Sequence, residues 1–499
     1  INFFIYNIKN KLENKKYDIV ILSNLLWYIL NDFYNCLNNG INLLNENGLI
    51  IIVQVFLKKQ KFGINFDELK QKITETGYLN IEYQETKKFE NDYRYFGILV
   101  IKKLSIVKTK DIFIYDTSKK YYDTRFGAGT FILGHTREFN KQIFNQIDKG
   151  TLFGYPSENE EILRLNLKKQ INWFDDFIFC NSGSESIMRA FRIARSYTKK
   201  RKIAIASSFW HGGYDGTQVR SDNQYKKILT SSGVNEDLLE NLILIPNNDV
   251  KKATEILDEN IDDLAMVFFE PVQQLVPRID KDYIQGLRDY TTNNNILLGF
   301  DEMISGFRMA VGGAQEYLNI HSDIVCYGKI IGGGYAIGVV GYNKEISEHL
   351  KNVTPTVRFG GTFSGNPLST FTGNLILNYL VDNKEKLYLK LDTLTKKLCD
   401  TINDFCKENN YSMKFYYVSS FYRILFTDKY VETMEERAKY ELDKNKQMLF
   451  FSILRDNNLI TAGNPLSFIS NKHNKENVIE IIDIYKKSIT KFFTIINSV

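Results

Sequence analysis

The sequence predicts an α/β protein whose main sheet is mostly parallel. Three observations carry this. Apolar runs at 265–269, 297–300 and 324–327 have the length of buried strands, and each ends in polar or glycine residues: Glu270, Asp301 and Gly328-Lys329. Helical patterns at 138–148, 160–170 and 188–195 alternate with the strand-like runs. Polar groups gathered at strand ends in this way mark the edge where open α/β sheets bind ligands.

Size and composition bound the rest. A chain of 499 residues suggests two or three domains, and 43% hydrophobic content supplies an ample core. The net charge of +5, from 64 basic and 59 acidic residues, is too small an excess to argue for nucleic acid. Cys36, Cys180, Cys326, Cys399 and Cys406 are scattered without a CxxC pair, which points to a reducing, cytoplasmic compartment and to no metal site. Apolar runs stay short of a membrane span. The chain opens on Ile1 without the sections of a signal peptide, and the expectation is a start cut from something longer.

Residues 17–24 read as a buried strand, followed by helix through Leu43, a second strand at 49–53, and helix at 67–76 with Gly77 as its cap. Segments 81–84 and 95–101 make a closing antiparallel pair. On "YDIVILSNLLWYI", "LLNENGLIIIV" and that hairpin, residues 1–103 resemble the C-terminal part of a class I S-adenosylmethionine methyltransferase, a partial Rossmann-like unit. That family's glycine-rich loop has no candidate before Tyr17, so the resemblance implies a remnant or a truncated unit rather than a working methyltransferase. A charged connector at 102–110 ends this region.

Beyond it, 112–116 and 120–123 look like a hairpin, and His135 on the following loop reads as structural. The strand 177–180, the turn Asn181-Ser182-Gly183-Ser184 and the helix after it form either a helix cap or a phosphate seat, because first-turn amides and the helix dipole favour an anion. Trp210, beside His211 and two glycines, is either core or a platform for a flat ring. Lys329, set between Gly328 and Gly332-Gly333-Gly334, is either a solvated amine at a turn or a buried amine of lowered pKa that condenses with an aldehyde. Asp301 favours the second reading: a carboxylate against the pyridine nitrogen of pyridoxal phosphate keeps that ring an electron sink while the lysine holds its aldehyde.

Here a second resemblance becomes specific. The motifs "NSGSES", "FWHGGYDG", "FFEPVQ", "GFDEMISGFRMAVGGAQEY", "GKIIGGGYAIG" and "GGTFSGNPLS" occur in family order. On them, residues 104–499 resemble a class III aminotransferase of pyridoxal-phosphate fold type I, nearest the glutamate-1-semialdehyde aminomutase branch. The resemblance implies a large domain at about 157–385 and a small one from 104–156 plus 386–499. It implies pyridoxal 5'-phosphate on Lys329, with Asp301 at the ring nitrogen. Ser182, Gly183 and Ser184 then take the phosphate, Trp210 stacks on the ring with His211 beside it, and Gln273 meets the ring hydroxyl. Glu270 and Glu302 stand behind these groups. Thr362 reaches the phosphate of a neighbouring subunit, which implies a homodimer with shared sites.

Substrate features depart from that branch. Its N-terminal carboxylate-binding arginine has no counterpart between Lys103 and Ile112, and Pro465 stands where it has a glutamate ahead of Ser470 and His473. Gly127 and Ala128 replace its Ser-Trp, and Arg125 and Arg308 are the nearest spare cations for a substrate carboxylate. The expected function is amino transfer to a keto or semialdehyde substrate from an amino-acid donor, in a biosynthetic pathway of polyketide or peptide-synthase type with a carrier-bound acceptor. The alternatives are the aminomutase reaction that makes 5-aminolevulinate, and a non-catalytic scaffold; methyltransferase activity ranks last.

Overall fold

The computed structural model describes residues 17–23, 44–57, 69, 73, 79–88 and 94–103, then 106–497 except 117–118, 207–209, 222–226, 432–433, 462 and 464. Four strands near the N-terminus, β1 (Tyr17–Ser23), β2 (Leu44–Leu57), β3 (Leu79–Lys88) and β4 (Arg94–Lys103), form a sheet in the order β1-β2-β4-β3. β1 and β2 are parallel, while β4 is antiparallel to β2 and to β3, as the closing pair requires. Leu69 and Ile73 are helical and buried; the helix expected to end at Leu43 and the Gly77 cap lie outside the described residues.

The large sheet has seven strands: β5 (Asp176–Cys180), β6 (Lys202–Ala206), β7 (Leu242–Ile245), β8 (Leu264–Phe269), β9 (Leu297–Asp301), β10 (Ile324–Gly328) and β11 (Gly338–Tyr342). Their order is β7-β6-β8-β9-β10-β11-β5. β7, β6, β8, β9 and β10 are parallel neighbours, and β11 runs antiparallel to β10 and β5. Both faces are dry, which is why β8 reads as an unbroken apolar run rather than an alternating one. Leu264, Val267 and Phe269 enter one core, and Ala265, Met266 and Phe268 enter the other. Helix α1 (Gly183–Thr198) buries Ile187, Ala190, Phe191 and Ala194 at helical spacing in the second core.

The longest helix, α2 (Pro367–Glu408), has 42 residues, where the sequence placed a helix from Lys384 onward. Asn366 caps it by accepting from Ser369 N at 2.9 Å, and Pro367 occupies its first turn. Its first half is rich in Ser, Thr and Asn and lacks a strong helical signature. Packing compensates: Gly373 lies so close to Ile331 that a Cβ there would sit 2.8 Å from the Ile331 carbonyl. α2 therefore runs unbroken through the domain boundary expected near residue 385.

The C-terminal part adds a sheet of β12 (Lys414–Val418), β13 (Phe421–Leu425) and β14 (Leu466–Phe468), closed by helix α3 (Lys475–Asn497). Asn474 and Asn477 cap α3 reciprocally, side chain to backbone. Residues 459–460 pair in parallel with 122–123, so the segment after the connector packs with the C-terminal part of the chain. His135 is structural as expected: its Nε2 meets Asp123 Oδ2 at 2.8 Å and its ring stacks on Phe126. Among the described residues, no helix is long and apolar enough to cross a membrane.

His473 is fully buried against Phe126, accepts from Ser470 N at 3.1 Å, and has its pKa pushed down to about 4, chiefly by burial. The unfolded imidazole titrates near 6.5, so the folded state binds fewer protons between the two values. Stability is therefore full above pH 6.5 and falls as pH drops toward 4, by about 3 kcal/mol at the acid end. Melting temperature measured against pH is expected to show this acid limb, and His473→Gln to flatten it.

Candidate active site

The carboxyl edge of the large sheet gathers the chemistry. Glu270 follows β8, Asp301 ends β9, and Lys329 follows β10 at the start of a tight turn. Lys329 adopts φ 49, a left-handed conformation that costs a non-glycine residue about 1 kcal/mol or more and that the flanking packing must hold. Burial lowers the pKa of its amine; Asp301 and Glu270 work in the opposite sense, and Arg308 and Arg125 reinforce the lowering.

Asp301 is 2% exposed. Its Oδ2 meets His211 Nδ1 at 2.7 Å, and its Oδ1 accepts from Met303 N at 3.0 Å. Both contacts fix the carboxylate's orientation. Glu270 is buried beside it, and its carboxyl is pushed well up by burial and by the charge of Asp301. Gln274 donates to Glu270 Oε1, while Glu270 Oε2 has no hydrogen-bond partner among the described residues. A buried oxygen left open in this way is a place for a ligand's polar group.

Across the cleft, Ser182 caps α1 by accepting from Glu185 N at 3.2 Å, and Glu185 accepts from Asn181 N at 2.8 Å. The cap and the phosphate seat are thus compatible, because capping leaves the leading amides of the first turn without helical partners. Ser184 Oγ accepts from Gly213 N at 2.9 Å. Gly212, at φ 78, lies so close that a Cβ would come within 2.4 Å of that oxygen, and one on Gly183 would come within 2.5 Å of Met303 Sδ. Main chain pressed this closely around a helix start suits a phosphate.

Trp210 is 59% exposed, which rules out a core role and leaves its face open. Gln273 is buried and bound to Asn247 at both ends, donating to Asn247 O at 2.8 Å and accepting from Nδ2 at 3.4 Å. Glu302 lies under the site and accepts from Ser305 Oγ and Ala314 N, both at 2.7 Å, and from Gln315 N at 3.1 Å. Burial raises its pKa to about 7. Thr362 sits apart on an exposed loop, which Arg189 ties to α1 by donating to Gly360 O and Ser364 Oγ.

The two arginines suggested by the sequence differ. Arg308 is 1% exposed, and it donates to Gly129 O, to Ile304 O at 3.2 Å and to Ser420 Oγ at 3.0 Å, with Phe468 under its guanidinium. It braces the framework. Arg125 is half-buried and donates to Leu466 O at 2.7 Å. Sequence reasoning missed the His211–Asp301 contact, which joins residues far apart in the chain. It also missed Met303, which packs under both Gly183 and Gly328.

These residues fit pyridoxal phosphate: an amine of lowered pKa, a fixed buried carboxylate, an exposed aromatic ring and a helix start suited to phosphate are linked at the carboxyl edge of the large sheet by the His211–Asp301 and Ser184–Gly213 contacts and by Met303. A model of the aminotransferase class-III family matches residues 100–414. The glutamate-1-semialdehyde 2,1-aminomutase of Methanococcus maripaludis strain C7 is 37% identical over 402 residues, covering 77% of this chain and 91% of that protein. The protein of the same name from Methanocaldococcus jannaschii is 33% identical over 382 residues, covering 74% and 88%. An omega-transaminase structure from Sphaerobacter thermophilus shares the fold, with a TM-score of 0.71 at 23% identity over 78% of this chain and 91% of that one. The chain belongs to the class-III aminotransferase family, and the cofactor of its cleft is pyridoxal 5'-phosphate.

Proposed function

We propose that this enzyme moves an amino group from an amino-acid donor to a keto or semialdehyde carbon, with Lys329 and Asp301 as its catalytic residues. The observation that carries the reading is the half-buried Lys329 directly after β10, with Asp301 ending the neighbouring strand and the charges of Asp301 and Glu270 acting on its amine. Bound pyridoxal 5'-phosphate supplies a reactive aldehyde carbon and a protonated ring that draws electron density from the carbon losing its proton. Lys329 would hold the cofactor through its Nζ and, as a neutral amine, would take and return the proton at the substrate carbon. A neutral amine serves both tasks, and burial favours it.

Asp301, held by His211, would keep the ring nitrogen protonated. Ser182, Gly183 and Ser184 would take the phosphate, and Trp210 would stack on the ring. Gln273 Nε2 has a second hydrogen beyond the one given to Asn247, and this would serve the ring oxygen. Glu270 Oε2 faces the same cleft as a further polar contact. The exposed side chains of Phe144, Phe153, Tyr155 and Phe363, with Leu152 and Phe363 lining one pocket beside the Thr362 loop, support a homodimer in which each Thr362 would serve the other copy's phosphate.

The named relatives support a second reading, the intramolecular aminomutase reaction on glutamate 1-semialdehyde. Growth of an auxotroph lacking that enzyme decides between the two. The parallel-then-antiparallel sheet of β1–β4 supports a methyltransferase-like unit ahead of the aminotransferase and, with it, a biosynthetic setting with a carrier-bound acceptor.

Lys329→Ala is expected to abolish the visible absorbance band of the reconstituted protein and to reduce amino transfer by about 10²–10⁴-fold. A coloured Lys329→Ala protein with normal turnover would reject the assignment. The bond to the cofactor needs neutral amine, so the rate of band formation on adding the cofactor should rise with pH around a midpoint below the ordinary lysine value of 10.5. A stopped-flow pH series measures it.

A further inference from the structure

Helix α1 carries two arginines one turn apart, Arg189 and Arg192, and both donate to the segment of chain that holds Thr362. Arg192 Nη1 donates to Arg358 O at 2.7 Å. Arg189 lies deeper, at 2% exposure, and its guanidinium joins α1 to two further pieces of the structure. Nη1 donates to Phe179 O at 2.8 Å, on the strand β5 that leads into the Ser182 turn. Nη2 donates to Gly360 O at 3.1 Å and to Ser364 Oγ at 3.0 Å.

The two loop contacts fall on either side of Thr362 and leave that residue exposed between them. The main chain lies against the guanidinium at Gly361, where a Cβ would stand 2.4 Å from Ser364 Oγ and 3.3 Å from Arg189 Nη2. Charge pairing does not account for the arrangement. The nearby carboxylate, Glu185, has its Oε2 3.9 Å from Nη2 and accepts from Asn181 N at 2.8 Å. Withdrawing a guanidinium from water is costly, and here its hydrogen bonds go to neutral carbonyl and hydroxyl oxygens. What the side chain supplies is geometry: a planar fork of five donors holds several acceptors at fixed separations, as a flexible ammonium does not. Residues 353–361 form neither helix nor strand, so these bonds fix where Thr362 stands relative to α1.

We infer that Arg189 is a positioning residue for the partner's cofactor rather than for its own subunit's. It locks the Thr362 loop onto α1, whose first turn takes the phosphate of its own subunit, and so presents Thr362 to the phosphate of the other copy. This rests on the shared-site reading of Thr362. Because the effect travels through the loop, a substitution at Arg189 weakens cofactor binding at the site whose lysine belongs to the other subunit.

The readout is the dissociation constant of pyridoxal 5'-phosphate, followed through the visible absorbance band as the cofactor is dialysed from the holoenzyme. The Arg189→Gln homodimer is expected to hold the cofactor about 10-fold more weakly, the loss of one hydrogen bond to a charged phosphate. Mixed dimers of differently tagged chains then show which subunit feels the change. A dimer of Arg189→Gln with Lys329→Ala has one coloured site, in the Arg189→Gln subunit, whose phosphate meets the intact loop of the other chain. That site should bind as wild type does. A dimer of wild type with the double variant Arg189→Gln/Lys329→Ala has its coloured site in the wild-type chain, opposite the released loop, and should bind as weakly as the Arg189→Gln homodimer. A role confined to its own subunit predicts the reverse in both dimers, and that outcome overturns the inference, as does an Arg189→Gln homodimer of wild-type affinity. Ser364→Ala, a smaller cut at the same contact, replaces Arg189→Gln where that variant melts early, with the same inheritance expected. Thr362→Ala, carried through the same mixed dimers, separates the two claims. If it weakens the partner's site while Arg189→Gln weakens only its own, the inference alone falls. If the Thr362→Ala homodimer binds as wild type does, or the chain is a monomer, the shared-site reading falls and the inference with it.

Discussion

An amine withdrawn from water at the end of β10 is the constraint to which the rest of the structure responds. Burial favours its neutral form, and the carboxylates of Asp301 and Glu270 pull the other way. In a low-dielectric setting both effects are large, so the balance depends on where those carboxylates are held. Asp301 is fixed by His211 and by the Met303 amide, which keeps its charge from swinging onto the lysine. Glu270, pushed toward its protonated form beside Asp301, adds little competing negative charge. A reactive amine and a fixed anion can then coexist in one cleft without collapsing into a simple ion pair.

That arrangement requires close main-chain packing, and glycine provides it where it matters. A Cβ on Gly338 would come within 2.1 Å of the Ser182 carbonyl, so β11, which lies between β5 and β10, holds the Ser182 turn close to the strand that leads into Lys329. Gly373 brings α2 onto Ile331, two residues past the lysine, and backs the strained turn from the other side. The left-handed Lys329 is held by elements whose own burial far exceeds the cost of its conformation.

Much of this was legible in the sequence because parallel strands announce themselves twice, as apolar runs and as polar residues at their ends. Glu270, Asp301 and Lys329 lie where those runs stop, and the Ser182 turn opens a helix with its own capping pattern. The first half of α2 was not legible, since its Ser, Thr and Asn residues lack helical signature and its stability comes from contacts with Leu163 and Ile331. His211 was legible as a neighbour of Trp210 but not as the partner of Asp301. Arg308 and Arg125 looked alike in the sequence. Burial among backbone carbonyls separates one from the other, and no local pattern encodes that.

The groups at this edge are therefore interdependent. Losing the His211 contact would free the Asp301 carboxylate to turn toward Lys329 and so favour the charged amine, the outcome that burial opposes. Arg308 pushes the other way from a fixed position, because its guanidinium is committed to Gly129 O, Ile304 O and Ser420 Oγ and cannot follow the carboxylate. The state of the amine is thus set by which charges are pinned, and His211 is the pin that the sequence hides.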